Sequence, residues 1–435
     1  MKFSQDQINA IEGICNELVH SADPQSHAIA VLTGSAGTGK TTVVKEVIKQ
    51  MQTSSPLTSI SLCATTHRAA TVLETIVGSQ NVPSAVQTGH ALFKLRPTVT
   101  KTGKEVLKQT GKCDITYGSV VIIDEASMIG NEFLQAIVDV VKEKALKLLF
   151  IGDPFQLPPP TDTCSIFDGS LHTFTLTTMH RQALGNPILE KADQFRKYLQ
   201  GTLNTEPIIE TAINAKGEGI VQLPHTEFVS EFVKRYMDYS AGDEVDIPLC
   251  TYTNESAINY NNMVRKSAFF LEDIIKPFYK NEGLITNSAV IEDDKTILTN
   301  NETVYIESYS DTEFHGIPGY RVIVRGDYNM YSGSNIKKVF SPKTRGVANK
   351  ILEEHKQEAI KSKSKLGWKA YYAIKNAIAD LRPPFAGTTH KAQGGTFPAI
   401  FIDKINIDKC RDPAIRARLF YVALTRATTN VYINS

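Results

Sequence analysis

Eight residues near the start of the chain, Gly34 to Thr41, read GSAGTGKT and have the spacing G-x-x-x-x-G-K-[ST]. Glycines at such positions let successive backbone N–H groups curl around a phosphate, and the helix that follows adds the positive end of its dipole. A lysine placed like Lys40 reaches the β- and γ-phosphates, and a hydroxyl placed like Thr41 can ligate Mg²⁺. The pattern predicts a nucleotide site built from Gly34, Ala36, Gly37, Thr38, Gly39, Lys40, Thr41 and Thr42.

Other residues supply the rest of a hydrolytic reaction. The run VVIIDEAS ends a hydrophobic strand in Asp124 and Glu125. Asp124 can hold the Mg²⁺ water shell, and Glu125 can orient or deprotonate an attacking water, which points to hydrolysis rather than binding alone. GDPFQLPP ends the next strand. It offers Gln156 as a γ-phosphate sensor and Asp153 as a group behind it, although Gly-Asp-Pro is also a plain turn. FSQDQINAI has two readings. Ser4 and Gln7 fit the S-x-x-Q capping box of an amphipathic helix, whereas a glutamine upstream of a phosphate loop can read an adenine edge. Near the other end, LFYVALTRAT is an apolar helical run begun by Asp412-Pro413, with Arg426 in its last turn. Read locally, Arg426 complements the helix dipole.

These groups need strands and helices to carry them. AIAVLTG, SISLCATT, SVVIIDE and LKLLFIGD are apolar runs ending in polar or Gly-containing turns, with helical patterns between them. That alternation predicts a parallel sheet covered on both faces, with ligands at the carboxyl ends of the strands. Residues 91–115 interrupt it with β-prone pieces around a KTGK turn, which reads as an inserted hairpin. A second α/β pattern begins near Leu176 and includes DIPLCTYTN, PAIFIDKI and NVYIN. Within it, 268–382 turns strand-rich, like a small barrel, and then Lys-rich and helical over 347–380. The expected organisation is a first domain at 1–175, a second at 176–267 and 383–435, and an inserted subdomain at 268–382.

Composition excludes several classes. With 42% hydrophobic and 21% charged residues, the chain of 435 residues has the balance of a soluble globular protein. No apolar run approaches the roughly 20 residues needed to span a bilayer, and the start of the sequence has no export h-region. The six cysteines are scattered without a C-x-x-C pair. That argues for reduced thiols in a cytoplasmic protein and against zinc sites. The net charge of +1 hides an asymmetry: 94–112 carries +5 and 337–369 carries +7, leaving −11 for the remainder. Either basic stretch alone can be a solvated surface; two on an acidic body suit a polyanion.

SQDQINAI, GSAGTGKTT, CATTHRAAT, QTGHALFKL, IIDEASM, GDPFQLPP, LTTMHRQ, TYTNESAINYNNMVR, AGTTHKAQGGTF and LFYVALTRAT together follow the order and spacing of superfamily-one DNA helicases. They most resemble the RecD/Dda-type branch, and the resemblance runs from residue 4 to 428. It implies α/β architecture with two RecA-like P-loop domains, a pin-like hairpin in the first, and an SH3-like β-rich plus helical insertion in the second. It also implies ATP with Mg²⁺ in the cleft between them, single-stranded and fork DNA as partner, and 5′ to 3′ movement. By the same resemblance Gln7 reads adenine, Arg181 and Arg426 are the arginines aimed at the γ-phosphate, and Gln393 and Gly394 lie near the nucleotide. Thr65, Thr66, His67, Thr88, His90, Thr388 and His390 match DNA-contacting positions, and Asn254 a backbone or coupling position. The family often has proline where Thr65 stands. Phe93 or a nearby apolar residue is the candidate wedge at the hairpin, which by the resemblance splits the duplex. Trp368 has two readings, a packed core ring or a base-stacking platform. The resemblance further implies a monomer, with replication or single-strand-binding proteins as partners and no membrane. Action mainly on RNA, or displacement of proteins from DNA, is the alternative reading. A nucleotide-regulated switch is a third, opposed by Glu125 and both arginines.

Overall fold

The computed structural model describes residues 3–18, 27–56, 58–66, 69–70, 73–74, 86–99, 105–159, 162–178, 185–237, 248–268, 276–293, 295–326, 336–362 and 365–435. The apolar run Ala28–Gly34 forms β1, followed by β2 (Ile60–Ala64), β3 (Gln87–Thr88), β4 (Leu95–Val99), β5 (Glu105–Gln109), β6 (Val120–Asp124), β7 (Lys147–Gly152) and β8 (His172–Leu176). Six of these make one parallel sheet in the order β3-β2-β6-β7-β1-β8. Helices Gln5–Leu18 and Lys40–Ser54 bury Ile14, Val44 and Ile48 on one face, against Leu32 and Leu62. Helix Asn131–Glu143 buries Ile137 and Val141 on the other, against Val31 and Phe150. Burial on both sides is why these strands read as continuous apolar runs.

β4 and β5 pair antiparallel from Leu95↔Gln109 to Val99↔Glu105, so the basic stretch is a hairpin. Its turn, 100–104, lies outside the described residues. The hairpin docks on the first domain, where the Leu107 N–H donates to Glu132 Oε1 at 2.8 Å. Phe93 corrects an expectation. It is fully buried in the core beneath the hairpin, with Leu95, Cys113 and Ile115, and cannot meet DNA there. An aromatic at the foot of a β-ribbon gains more by filling this core than by facing water.

The second domain opens with β9 (Ala212–Ile213), β10 (Gly219–Leu223) and β11 (Leu249–Thr251). The chain then leaves through β12 (Gly283–Thr286), β13 (Val290–Glu292), β14 (Lys295–Leu298), β15 (Thr303–Phe314), β16 (Ile317–Arg325), β17 (Ile336–Pro342) and β18 (Leu381–Arg382). It returns as β19 (Ala386–Thr388), β20 (Phe397–Ile402) and β21 (Ala427–Asn434). The second sheet has the order β19-β11-β20-β21-β10-β9 and is parallel except at β9. Helices Pro187–Leu199 and Pro413–Arg426 cover one face, and His225–Lys234 and Asn254–Ala268 the other.

The insertion is a five-stranded antiparallel sheet, β17-β16-β15-β12-β18, with the β13–β14 ribbon and helices Arg345–Ser362 and Lys365–Ala377. A buried ion pair, Arg265 to Glu282 at 2.6 Å, fastens it to helix Asn254–Ala268. Trp368 is half-buried, with Tyr371 set edge-on to it at 5.8 Å between ring centroids. The two main domains share a seam: Leu157, from the loop after β7, is fully buried with Ile188, Phe195 and Phe420 of the second domain.

Candidate nucleotide cleft and nucleic-acid face

The phosphate loop takes its shape from backbone that only glycine adopts without strain. Gly37 and Gly39 have φ of +88° and +82°, and helix Lys40–Ser54 starts at once behind them. Thr38 is buried and its hydroxyl donates to the Ser35 carbonyl at 2.9 Å. Lys40 Nζ donates to the carbonyls of Gly34 (2.6 Å) and Ser35 (3.1 Å), which holds the ammonium across the loop. Gln7 Oε1 accepts the Ser4 N–H at 3.1 Å, the capping contact. Gln7 Nε2 donates to the Thr38 carbonyl at 3.1 Å, so the same side chain also braces the phosphate loop.

β6 delivers Asp124 and Glu125 to the same place. Glu125 has φ +54°, a left-handed conformation that costs about 1–3 kcal/mol outside glycine and is typical of functional sites. Asp124 Oδ1 accepts the Glu125 N–H at 2.8 Å. Desolvation pushes the Asp124 carboxyl up, while the Glu125 N–H and Lys40 pull it down. Burial and the Asp124 carboxylate push Glu125 up to about 7, against the pull of Arg426 and Lys40. Thr65 Oγ1 donates to the Glu125 backbone carbonyl at 3.3 Å, tying the end of β2 to the main chain at Glu125.

The opposite wall belongs to the second domain. Helix Pro413–Arg426 starts on an Asp412 cap whose Oδ1 accepts the N–H groups of Ala414 (2.8 Å) and Ile415 (3.1 Å). Its run from Leu419 to Leu424 is buried throughout, because it packs between its own sheet and the first domain. Arg426 is 5% exposed. Its Nε donates to Val422 O (3.3 Å) and Nη1 to Gly395 O (3.2 Å). It therefore holds its own helix end and lines the cleft as well. Two more side chains of this helix cross to the first domain: Arg418, just before the LFYVALTRAT run, and Tyr421 within it, neither with a role read from sequence. Arg418 Nη1 donates to the carbonyls of Pro154 (2.6 Å) and Gln156 (2.7 Å). The Tyr421 hydroxyl donates to Asp153 Oδ2 at 2.6 Å. Gln393 Nε2 donates to Leu157 O (3.3 Å) and meets Gln156 Oε1 at 3.5 Å.

Together these elements enclose a cleft of ≈ 500 Å³. Of the expected residues, Ala36, Gly37, Gly39, Lys40, Thr41, Thr42, Asp124, Glu125, Gln156, Gly394 and Arg426 line it. Lys45, Ala69, Gly152, Thr396 and Thr425 line it too and escaped sequence reading. Lys45 stands one helical turn beyond Thr41, so helical periodicity could have found it. Gly34, Thr38, Gln7 and Gln393 are buried around the cleft. Arg181 and His67 lie outside the described residues. The approach to Arg181 is pinned at Asp6, whose Oδ2 accepts the N–H groups of Thr177 (2.7 Å) and Thr178 (2.8 Å). Although burial pushes the Asp6 carboxyl up, hydrogen bonds from Ser4, Thr178 and Thr177 hold it well below the usual carboxylate range.

The donors fit a nucleotide and a hard cation. Thr41 and Asp124 offer only oxygen, which suits Mg²⁺, and the adjoining carboxylates crowd negative charge that a cation would relieve. Gln393 Oε1 is buried without a partner among the described residues, an acceptor open to a bound donor.

The expected DNA contacts lie at the carboxyl ends of strands in both sheets. Thr65 and Thr66 follow β2, and Thr88 ends β3. The Thr66 and Thr88 hydroxyls accept the N–H groups of Ala69 (3.2 Å) and Ala91 (3.3 Å), so both serve as helix caps. A capping oxygen keeps its own O–H to donate. His90 stacks on Phe133 at 4.1 Å. In the second domain Thr388 ends β19, His390 follows it, and Asn254 starts the helix after β11. Asn254 Oδ1 accepts from Arg382 of the insertion at 2.6 Å. No helix among the described residues is long and apolar enough to cross a membrane.

Comparison with known proteins places matches at both ends of the chain. An AAA domain matches residues 3–201, and a UvrD-like helicase C-terminal domain matches 384–434. The chain is 24% identical to the ATP-dependent DNA helicase dda of Enterobacteria phage T4, over 96% of each protein. It is 30% identical to the ATP-dependent RecD2 DNA helicase of Deinococcus radiodurans, over 38% of this chain and 21% of that one. The solved structure of Pif1 helicase from Candida albicans has a TM-score of 0.48 and 14% identity, covering 100% of this chain and 94% of its own. With both terminal matches and an end-to-end relative pointing the same way, the chain is similar to the superfamily-one helicases of the RecD/Dda type along its length.

Proposed function

We propose that this chain is an ATP-dependent DNA helicase that moves 5′ to 3′ along single-stranded DNA and unwinds the duplex ahead. One observation carries the reading: Lys40 and Glu125 from one sheet and Arg426 from the other line a single cleft. A hydrolytic site divided between two domains can change the distance between them as its phosphate charge appears and leaves.

In this reading Lys40 and the N–H groups of the phosphate loop bind the β- and γ-phosphates, and Gln7 reads the base. Thr41 and Asp124 would hold Mg²⁺, which neutralises phosphate charge. Glu125 takes a proton from the attacking water, Gln156 orients at the γ-phosphate, and Arg426 with Arg181 stabilises charge on the transferring group. Bound phosphate draws the arginines in and closes the cleft; its departure lets the cleft open. The threonine, histidine and asparagine positions at the strand ends grip DNA phosphates without reading sequence. The direction of travel rests on the family resemblance.

Strand displacement on duplexes with 5′ or 3′ single-stranded tails tests the proposal. Wild-type protein with ATP should open the 5′-tailed duplex, and Lys40→Ala should bind the tail but open neither. Opening of only the 3′-tailed duplex refutes the direction, and absence of single-strand-stimulated ATP hydrolysis refutes the activity.

A further inference from the structure

The loop Asp153–Leu157 belongs to the first domain by sequence but is gripped by the second. Leu157 is buried in the second domain's core, and Arg418 binds the carbonyls of Pro154 and Gln156. Those contacts fix backbone. A different contact joins side chains: Tyr421 Oη and Asp153 Oδ2 are 2.6 Å apart and both residues are buried. The other carboxylate oxygen, Asp153 Oδ1, accepts the Phe155 N–H at 3.0 Å, so the carboxylate is held from two sides. The phenol oxygen also faces the backbone N–H of Ala36 in the phosphate loop. Arg418, Tyr421 and Thr425 lie on one face of helix Pro413–Arg426 at spacings of three and four residues. From Tyr421 to Arg426 every residue but Thr425 is buried, so this part of the helix is packed in place.

We propose that Tyr421 and Asp153 form a positioning pair that passes the state of the phosphate loop to Arg426. The Tyr421 hydroxyl stands at the meeting point of three parts: the Ala36 N–H, the Asp153 carboxylate at the head of the Gln156 loop, and the helix bearing Arg426. When phosphate draws the loop's N–H groups toward itself, the phenol loses or strengthens its contact with Ala36. The helix responds as one body, and Arg426 moves relative to Gln156. Neither member of the pair lines the cleft, so both act through other residues.

The inference rests on the helicase reading, and its test separates the two. Tyr421→Phe removes one oxygen and keeps the packing. At saturating single-stranded DNA its kcat should fall about tenfold or more, while KM for ATP and ADP affinity stay near wild type, as expected for alignment realised in the transition state, and the melting temperature falls only modestly as buried Asp153 loses a donor. Asp153→Ala should lose a similar factor. Asp153→Asn, which keeps an acceptor for the phenol, should lose less. The Tyr421→Phe/Asp153→Ala double variant should be no slower than the slower single, because the two act as a unit. Losses that multiply in the double variant, or a Tyr421→Phe kcat within twofold of wild type, overturn the pair. So does a loss that follows ADP affinity or melting temperature alone. Wild-type protein without stimulated hydrolysis overturns the helicase reading itself.

Discussion

Glu125 and Arg426 come from different domains and line one cleft. Burial and Asp124 push the Glu125 carboxyl up to about 7, and the Arg426 guanidinium pulls against both. In the proposed mechanism, an arginine that shares the cleft with Glu125 also faces the phosphate on which Glu125 acts. Yet Arg426 is equally built into its own helix end through Val422 and Gly395.

Arg426→Ala should therefore show two separable effects. Loss of an arginine that stabilises transition-state charge costs about 10³–10⁵ in rate. Loss of a buried, multiply bonded donor costs about 1–3 kcal/mol of stability. Arg426→Lys should recover little of the rate, because an ammonium lacks the planar fork that holds several acceptors at once. Stimulated ATP hydrolysis and urea unfolding, measured on one preparation, distinguish the roles. A full stability loss with hydrolysis within tenfold of wild type would leave Arg426 a helix cap and nothing more.

The parts of the site legible in sequence are those whose geometry is local. Gly37, Gly39 and Lys40 announce themselves because their turn needs left-handed backbone directly before a helix. Asp124 and Glu125 do so because a buried strand must stop where carboxylates begin. The two parallel sheets were likewise readable, since burial on both faces makes apolar runs. What stayed hidden depends on how the sheets dock. Nothing near Tyr421 names Asp153 as its partner, and nothing near Arg418 names the carbonyls of Pro154 and Gln156. Thr66 and Thr88 match DNA-contacting positions by resemblance, and the fold adds capping bonds that the resemblance does not mention. Phe93 was misplaced because a hairpin's alternation does not reveal which face is covered at its foot.

Phe93 now predicts a stability phenotype. Phe93→Ala should cost about 3–5 kcal/mol, the usual range for emptying a fully buried aromatic site. Phe93→Leu keeps most of the volume and should cost about 1.5 kcal/mol or less. Denaturant unfolding gives these values, and base pairs opened per ATP hydrolysed gives the functional side. For Phe93→Leu that ratio should match wild type. A normal stability with a reduced ratio would restore the wedge assignment.

Lys391 follows His390 on the edge of the second domain that we propose faces DNA, in a crowd of cations. Burial first, then Arg382 and Arg345, lower its ammonium to about 8, and both arginines share one carboxylate, Asp380. The sign of the pH effect follows. An unfolded lysine titrates near 10.4, so between about 8 and 10.4 the unfolded chain binds more protons and stability rises with pH. The Lys391 side chain is nevertheless exposed and screened by solvent, so Lys391→Met should be only slightly more stable than wild type at pH 7, with that advantage gone near pH 10. Binding runs the other way, because a DNA phosphate needs the charged form. Wild-type affinity for oligo-dT should weaken from pH 7 to 9.5 more than that of Lys391→Met. At pH 7 the variant's salt dependence should be shallower by about 0.7, the value of one single-strand phosphate contact. Fluorescence anisotropy at two pH values and several salt concentrations measures both. Equal pH and salt slopes for the two proteins would remove Lys391 from the DNA path.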